Sequence, residues 1–201
     1  MELDHVLIAV RDLADSADEL ADRYGLISIE GGRHPGWGTA NRIVPLGKTY
    51  LELIAVVDEA EAAQSAFGRW VGQAPSGLRP LGWAVRTPSL DDVARRLGLR
   101  VTPGSRLTPD GTLVRWRSAG IEQTLAEPSL PFFIEWTTGS PFPGRAEADH
   151  RAGDVELEGD AARLAHWLGE HTPPIDVRSG PSRVASIALA TGKGEVVLGE
   201  L

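Results

Sequence analysis

Apolar residues along the chain fall into short, strand-like runs punctuated by glycine and proline, and helical spacing appears only between some of them. Leu3 to Val10, rich in Leu, Val and Ile, predicts a buried strand. Past Arg11-Asp12-Leu13, Leu20 and Tyr24 recur at helical spacing, with Asp15 or Ser16 as the cap and Gly25 as the stop. Ile27 to Glu30 predicts a second strand, Gly31 to Gly38 a glycine-dense loop, and Thr39 to Pro45 a third strand. Gly47-Lys48 turns into a fourth, Thr49 to Val57. Asp58 to Gly72 is acidic and then amphipathic through Ala63, Phe67, Trp70 and Val71, which predicts one connecting helix, followed by a linker over 73–77.

The pattern then returns. Leu81 to Arg86 is a strand, Thr87-Pro88-Ser89 opens a helix ending at Leu97-Gly98, and Val101-Thr102, Thr112 to Ser118 and Pro131 to Thr138 are strands. Ala84-Val85-Arg86 repeats Ala9-Val10-Arg11, and Phe132-Phe133-Ile134-Glu135-Trp136 answers Tyr50-Leu51-Glu52-Leu53-Ile54. A weaker third copy starts at Val155: a strand, the helix Ala161 to Leu168 capped by Asp160, and strands over 175–177, 184–190 and 195–198. Such a repeat decides the architecture ahead of local detail. The expected fold class is α+β. Paired βαβββ modules cover 1–57 and 79–138, a connector covers 58–78, and a loop with a third partial βαβββ unit covers 139–201.

Charge and composition narrow the function. Lys and Arg number 20 against 28 Asp and Glu, a formal net charge of −8. That is a poor grip on a phosphate backbone, so no nucleic-acid partner is expected. The chain has no cysteine, which removes disulfides, thiolate metal sites and cysteine nucleophiles. No run approaches the ~20 apolar residues of a membrane span, so no membrane partner is expected. Met1 to His5 carries acid where a secretory leader carries base, and a cytoplasmic protein is the expectation. No Gly-X-Ser-X-Gly elbow and no His-Glu-X-X-His motif is present.

Leu3-Asp4-His5-Val6-Leu7-Ile8-Ala9-Val10-Arg11-Asp12-Leu13, His34-Pro35-Gly36-Trp37-Gly38-Thr39-Ala40-Asn41 and Tyr50-Leu51-Glu52-Leu53-Ile54 carry a resemblance. Together they resemble the glyoxalase-like domain proteins of the vicinal oxygen chelate superfamily, over nearly the whole chain. The resemblance implies a sheet curled around a cavity. It also implies a metal that takes one ligand from the first strand and one from the last strand of each module. On that pattern His5, Glu52 and Glu135 match ligand positions, while Pro80 stands at the fourth and offers no donor. The implied cofactor is a divalent metal, Mn, Fe, Ni or Zn, or none. Glu135 and His34 are the candidate catalytic acid–base groups.

The candidate substrate contacts are Trp37, Asn41, Trp83, Arg115, Arg117 and Phe133. Strand alternation places Phe133 on the face of Glu135 and turns Ile134 and Trp136 toward the helices. A mid-strand carboxylate needs a metal, a cation, a proton or water, and Arg115 and Arg117 are candidates for that cation. His34 is equally readable as an exposed loop residue.

Two functions stay open. One is metal-assisted lyase, isomerase or dioxygenase chemistry on a small oxygen-bearing organic molecule. The other is a metal-free protein that binds and sequesters a small molecule. Enzyme or binding protein, monomer or homodimer, are not separated at this level.

Overall fold

The computed structural model describes residues 1–75, 77–140, 142–145, 150–169, 171, 173 and 175–199. Ser76, in the linker expected at 73–77, and residues 141 and 146–149, in the loop expected to open the 139–201 segment, lie outside the described residues. Strands apolar on both faces dominate. β1 (Glu2–Ala9) and β4 (Tyr50–Val56) are buried almost throughout, so both faces need cover. They run parallel, with His5 opposite Tyr50 and Leu7 opposite Glu52.

Between them come α1 (Leu13–Tyr24), β2 (Ile29–His34) and β3 (Thr39–Pro45). Asp12 caps α1, its carboxylate accepting from the amides of Ala14 and Asp15 at 2.8 and 2.9 Å. The expected single connecting helix is two, α2 (Glu59–Gln64) and α3 (Ala66–Gln73). Ser65 breaks it: its backbone is extended, and its hydroxyl caps α3 through the Gly68 amide.

The second module is β5 (Pro80–Arg86), α4 (Leu90–Leu97), β6 (Val101–Leu107), β7 (Leu113–Ala119), α5 (Ile121–Ala126) and β8 (Phe132–Trp136). β5 and β8 are parallel, as β1 and β4 are. β1 pairs with β5 from Glu2–Arg86 to Ile8–Pro80, whereas β2 meets β6 at the pair Arg33–Leu107. The two modules thereby close an eight-stranded barrel, in the order β1-β4-β3-β2-β6-β7-β8-β5.

Two elements are longer than their sequence signals. β2 runs through Gly31 to His34, so half of the expected glycine loop is strand. β6 continues past Pro103-Gly104 to Leu107. Gly104 faces Trp116, and a Cβ there would lie 2.3 Å from Trp116 Nε1. The glycine lets the indole lie across the strand instead of ending it.

The tail holds β9 (Arg151–Glu158), α6 (Ala161–Leu168), β10 (Ile175–Arg178), β11 (Arg183–Thr191) and β12 (Gly194–Gly199). Its element order is the expected βαβββ, but its strand order is β10-β9-β11-β12. The first strand lies beside the second, in parallel, where each barrel module sets it beside the fourth. The tail sheet covers the outside of the barrel. Val6, Ile8, Trp83, Val85 and Phe133 share one core with α1, α4 and the tail's Leu164, Trp167 and Ile187. Among the described residues no helix is long and apolar enough to cross a membrane.

Candidate functional site

The other face of the same strands looks into the barrel. Alternation brings His5, His34, Asn41, Tyr50, Glu52, Arg106, Trp116, Phe132, Ile134 and Trp136 to one cavity. Trp37 and Phe67 close one side, their rings 4.7 Å apart. The cavity is narrow, about 30 Å³, and opens to solvent on one side. Trp37 sits in the turn after β2. Both Glu61 carboxylate oxygens grip that turn, accepting from the amides of Gly36 and Gly38 at 2.7 and 3.0 Å.

Glu52 is the centre of the polar chemistry. Its Oε1 accepts from Asn41 Nδ2 at 2.6 Å, and its Oε2 lies 3.3 Å from His5 Nε2. On the far side of the imidazole, His5 Nδ1 donates to Asp4 Oδ1 at 2.7 Å. A register shift between Leu3 and His5 makes this possible, because it places Asp4 beside His5 instead of across the sheet. Asp4 is fully buried and takes a second bond from Trp136 Nε1 at 2.9 Å. A carboxylate only accepts, so the Nδ1 proton belongs to the Asp4 bond. The other ring nitrogen, His5 Nε2, is thereby aimed at Glu52 Oε2. Tyr50 stacks on the imidazole, ring centroids 4.7 Å apart, and holds its plane.

His34 Nε2 is 3.7 Å from Glu52 Oε1, and its Nδ1 is 3.0 Å from the Thr39 hydroxyl. Burial pulls its pKa down to about 4, against the opposing pull of Glu52 and with the help of Arg106 and His5. It is therefore neutral at neutral pH. Burial, then the Asp4 and Glu52 carboxylates, raise the Tyr50 phenol well above its usual range, so it stays protonated. Arg106 is 7% exposed. Burial lowers its pKa, with Tyr50 and Glu52 acting the other way, and a guanidinium stays charged through such a shift.

The structure thus brings His5, Glu52, His34, Trp37 and Asn41 together, and the remaining sequence candidates point elsewhere. Glu135 faces away from the cavity and is held by Arg117, whose Nε donates to Glu135 Oε2 at 2.9 Å. Arg117 also forks onto Asp91 at 3.0 Å. An arginine counter-charge, one of the alternatives for a mid-strand carboxylate, is the arrangement found here. Arg115 is exposed on the same outer face. Phe133 is fully buried outside the barrel against Trp167, with centroids 5.7 Å apart. Trp83 is likewise buried in the outer core and donates to the Ser129 carbonyl at 3.1 Å. Ile134 and Trp136, expected to face helices, line the cavity.

One cause underlies the errors on β8. The Val10 amide donates to the Ile54 carbonyl at 2.8 Å, and the Thr87 amide donates to Ile134 at 3.0 Å. Counted back from these bonds, Phe132 corresponds to Glu52 and Gly82 to His5. Glu135 is an odd number of residues from Phe132, so it points to the opposite face. Pro80 is not the position that answers His5. Sequence reasoning also passed over Arg106, because Pro103-Gly104 reads as a strand break and hides the period-two alternation beyond it.

The residues do not fit a metal shared by two modules. Phe132 and Gly82 supply no donor, and Glu135 is turned away. Among the described residues no group of three or more His, Asp or Glu is arranged to hold a metal ion.

A closed barrel of two βαβββ modules, with a histidine on the first strand and a glutamate on the fourth facing inward, defines a glyoxalase-like protein. The family model of the glyoxalase-like domain matches residues 3–167, and the chain belongs to that family. None of the curated proteins compared with it is significantly similar. Among solved structures, a hypothetical protein from Staphylococcus aureus aligns with a TM-score of 0.70 at 14% identity, covering 96% of this chain and 92% of that one. A variant methylmalonyl-CoA epimerase from Streptomyces coelicolor, in complex with 2-nitronate-propionyl-CoA, aligns with a TM-score of 0.50 at 22% identity. The alignment covers 69% of this chain and 96% of that one. At these identities the likeness is one of fold.

Proposed function

We propose that the barrel cavity binds a small oxygen-bearing organic molecule and that Glu52, backed by His5, moves a proton on it. The reaction class is abstraction of a proton next to a carbonyl and its return, as in an isomerase or epimerase. The observation that carries this reading is the line Asp4–His5–Glu52. Asp4 fixes the imidazole at 2.7 Å, and the imidazole addresses the carboxylate at 3.3 Å, inside an aromatic-walled cavity. A base confined among aromatic rings is desolvated, and an adjacent imidazole takes up or returns its proton. Asn41 holds the other carboxylate oxygen in place. No step requires a metal. That differs from metal-assisted lyase or dioxygenase chemistry, for which one of the three expected ligands, Glu135, faces the wrong way.

The test is solvent deuterium exchange into the carbon acid phenylpyruvate, followed by NMR, with the native chain and with Glu52→Gln. The expected result is exchange above the uncatalysed rate that falls at least ~100-fold in the variant. Exchange no faster than in buffer, or equal in both proteins, overturns the proposal.

The aromatic walls of Trp37, Trp116, Phe132 and Trp136 favour a second reading, a protein that sequesters a small aromatic molecule. Ligand-dependent quenching of tryptophan emission without any exchange is its expected signature. Metal uptake is checked in the same preparation by elemental analysis after dialysis against Mn, Fe, Ni and Zn, with His5→Asn as the control.

A further inference from the structure

Arg106 is a buried cation whose fork is only partly used. It projects from β6 into the cavity, on the wall facing Tyr50 and Glu52. Nη1 donates to the Gly31 carbonyl across the β2–β6 seam. Among the described residues no carboxylate lies within ion-pair distance of it. The other buried acids of the site are already engaged: Asp4 by His5 and Trp136, and Glu52 by Asn41 and His5. Glu52 acts on it only from beyond ion-pair distance, and a guanidinium withdrawn from water with no anion in direct contact costs several kcal/mol. A protein keeps such a group where a ligand supplies the missing charge.

We propose that Arg106 is the receptor for a carboxylate on the ligand, so that the substrate class is a small organic acid carrying a flat apolar group. Four features lead to this ligand class. The free edge of a guanidinium presents parallel N–H donors that match two carboxylate oxygens. The surrounding walls, Trp37, Trp116, Phe132 and Trp136, suit an apolar or aromatic remainder. Glu52 stands on β4 of the first module and Arg106 on β6 of the second, so a ligand held by Arg106 lies between the two modules with Glu52 also lining its cavity. His34, being neutral, adds no competing positive charge. This inference rests on the cavity being the ligand site, as proposed above, and not on proton transfer occurring there.

The test compares three acids with their neutral amides: acetate with acetamide, malonate with malonamide, and phenylacetate with phenylacetamide. Binding is read by calorimetry and by quenching of tryptophan emission. In the native chain phenylacetate is expected to bind about ten-fold or more tightly than phenylacetamide. Arg106→Met is expected to erase the preference while melting cooperatively, and Arg106→Lys to keep part of it. Glu52→Gln is expected to retain or increase it, since a carboxylate near the acid is removed. If no acid outdoes its amide, or if Arg106→Met keeps the preference, the proposal is wrong. Preference for the acid without deuterium exchange upholds the Arg106 assignment and sinks the proton-transfer reading alone. Inorganic phosphate binding as well as phenylacetate would show an unselective anion site and overturn the carboxylate assignment.

Discussion

Glu52 and Phe132 hold the same place in the two halves of the barrel. Each lies two residues before the carbonyl that accepts the amide bond closing its module, Ile54 from Val10 and Ile134 from Thr87. One half of the cavity is therefore polar at this point and the other aromatic, and the pseudo-symmetry of the modules does not extend to their chemistry. The first module carries the cavity's histidines and its carboxylate, and the second adds the Arg106 cation among aromatic residues.

Phe132→Glu places a carboxylate at the position that answers Glu52. In chelator it loses a buried ring and sets two acids facing one cavity, an expected destabilisation of about 3–5 kcal/mol. Added Mn should return part of that loss, because His5 and the two carboxylates then form a three-donor set. A melting temperature unmoved by Mn in the variant would show that the two positions do not converge.

His34 gives the fold a definite acid sensitivity. Its folded pKa is about 4, against about 6.5 in the unfolded chain. As pH falls from 6.5 towards 4 the unfolded state takes up a proton that the folded state refuses, so stability is lost across that window. The loss amounts to about 3 kcal/mol at most. Urea unfolding at pH 7, 5.5 and 4.5 should show a slope in the native chain that His34→Gln largely removes.

Two tryptophans proposed from the sequence for the same wall should behave differently. Trp83 lies fully buried outside the barrel with its indole bonded to the Ser129 carbonyl. Trp83→Ala is expected to cost about 3–5 kcal/mol of stability. Trp37 is only half-buried, in the turn over the cavity mouth. Trp37→Ala should weaken phenylacetate binding with a smaller loss of stability. Equal losses of stability in chemical denaturation would contradict the placement.

Glu135→Gln separates the outer face from the inner. Glu135 belongs to a partly exposed network with Arg117 and Asp91, and the Arg117 bonds hold the Asp91 carboxyl below its ordinary range. Ligand binding and deuterium exchange should match the native chain, and any stability loss should be small, as for most surface ion pairs. Exchange lost to the extent seen in Glu52→Gln would place Glu135 in the site after all.

The sequence by itself determined the repeated order of strands and helices, the family resemblance, and the first-module residues His5, His34, Trp37, Asn41 and Glu52 that meet in the cavity. His5, Asn41 and Glu52 were legible because alternation fixes which residues share a face within one strand, whereas His34 and Trp37 fell in an expected loop and were indicated by the quoted motif alone. Tertiary structure decided what the second module contributes. Phe132-Phe133-Ile134-Glu135-Trp136 is apolar on both faces because the cavity covers one and the tail core the other, so hydrophobicity alone cannot orient it. Only the hydrogen-bond register of β8 with β5 sends Phe132, Ile134 and Trp136 inward and Glu135 outward. Arg106 shows the same limit: its place in the cavity depends on β6 pairing with β7 through Pro103 and Gly104, and pairing between strands is a long-range choice that no local run of residues encodes.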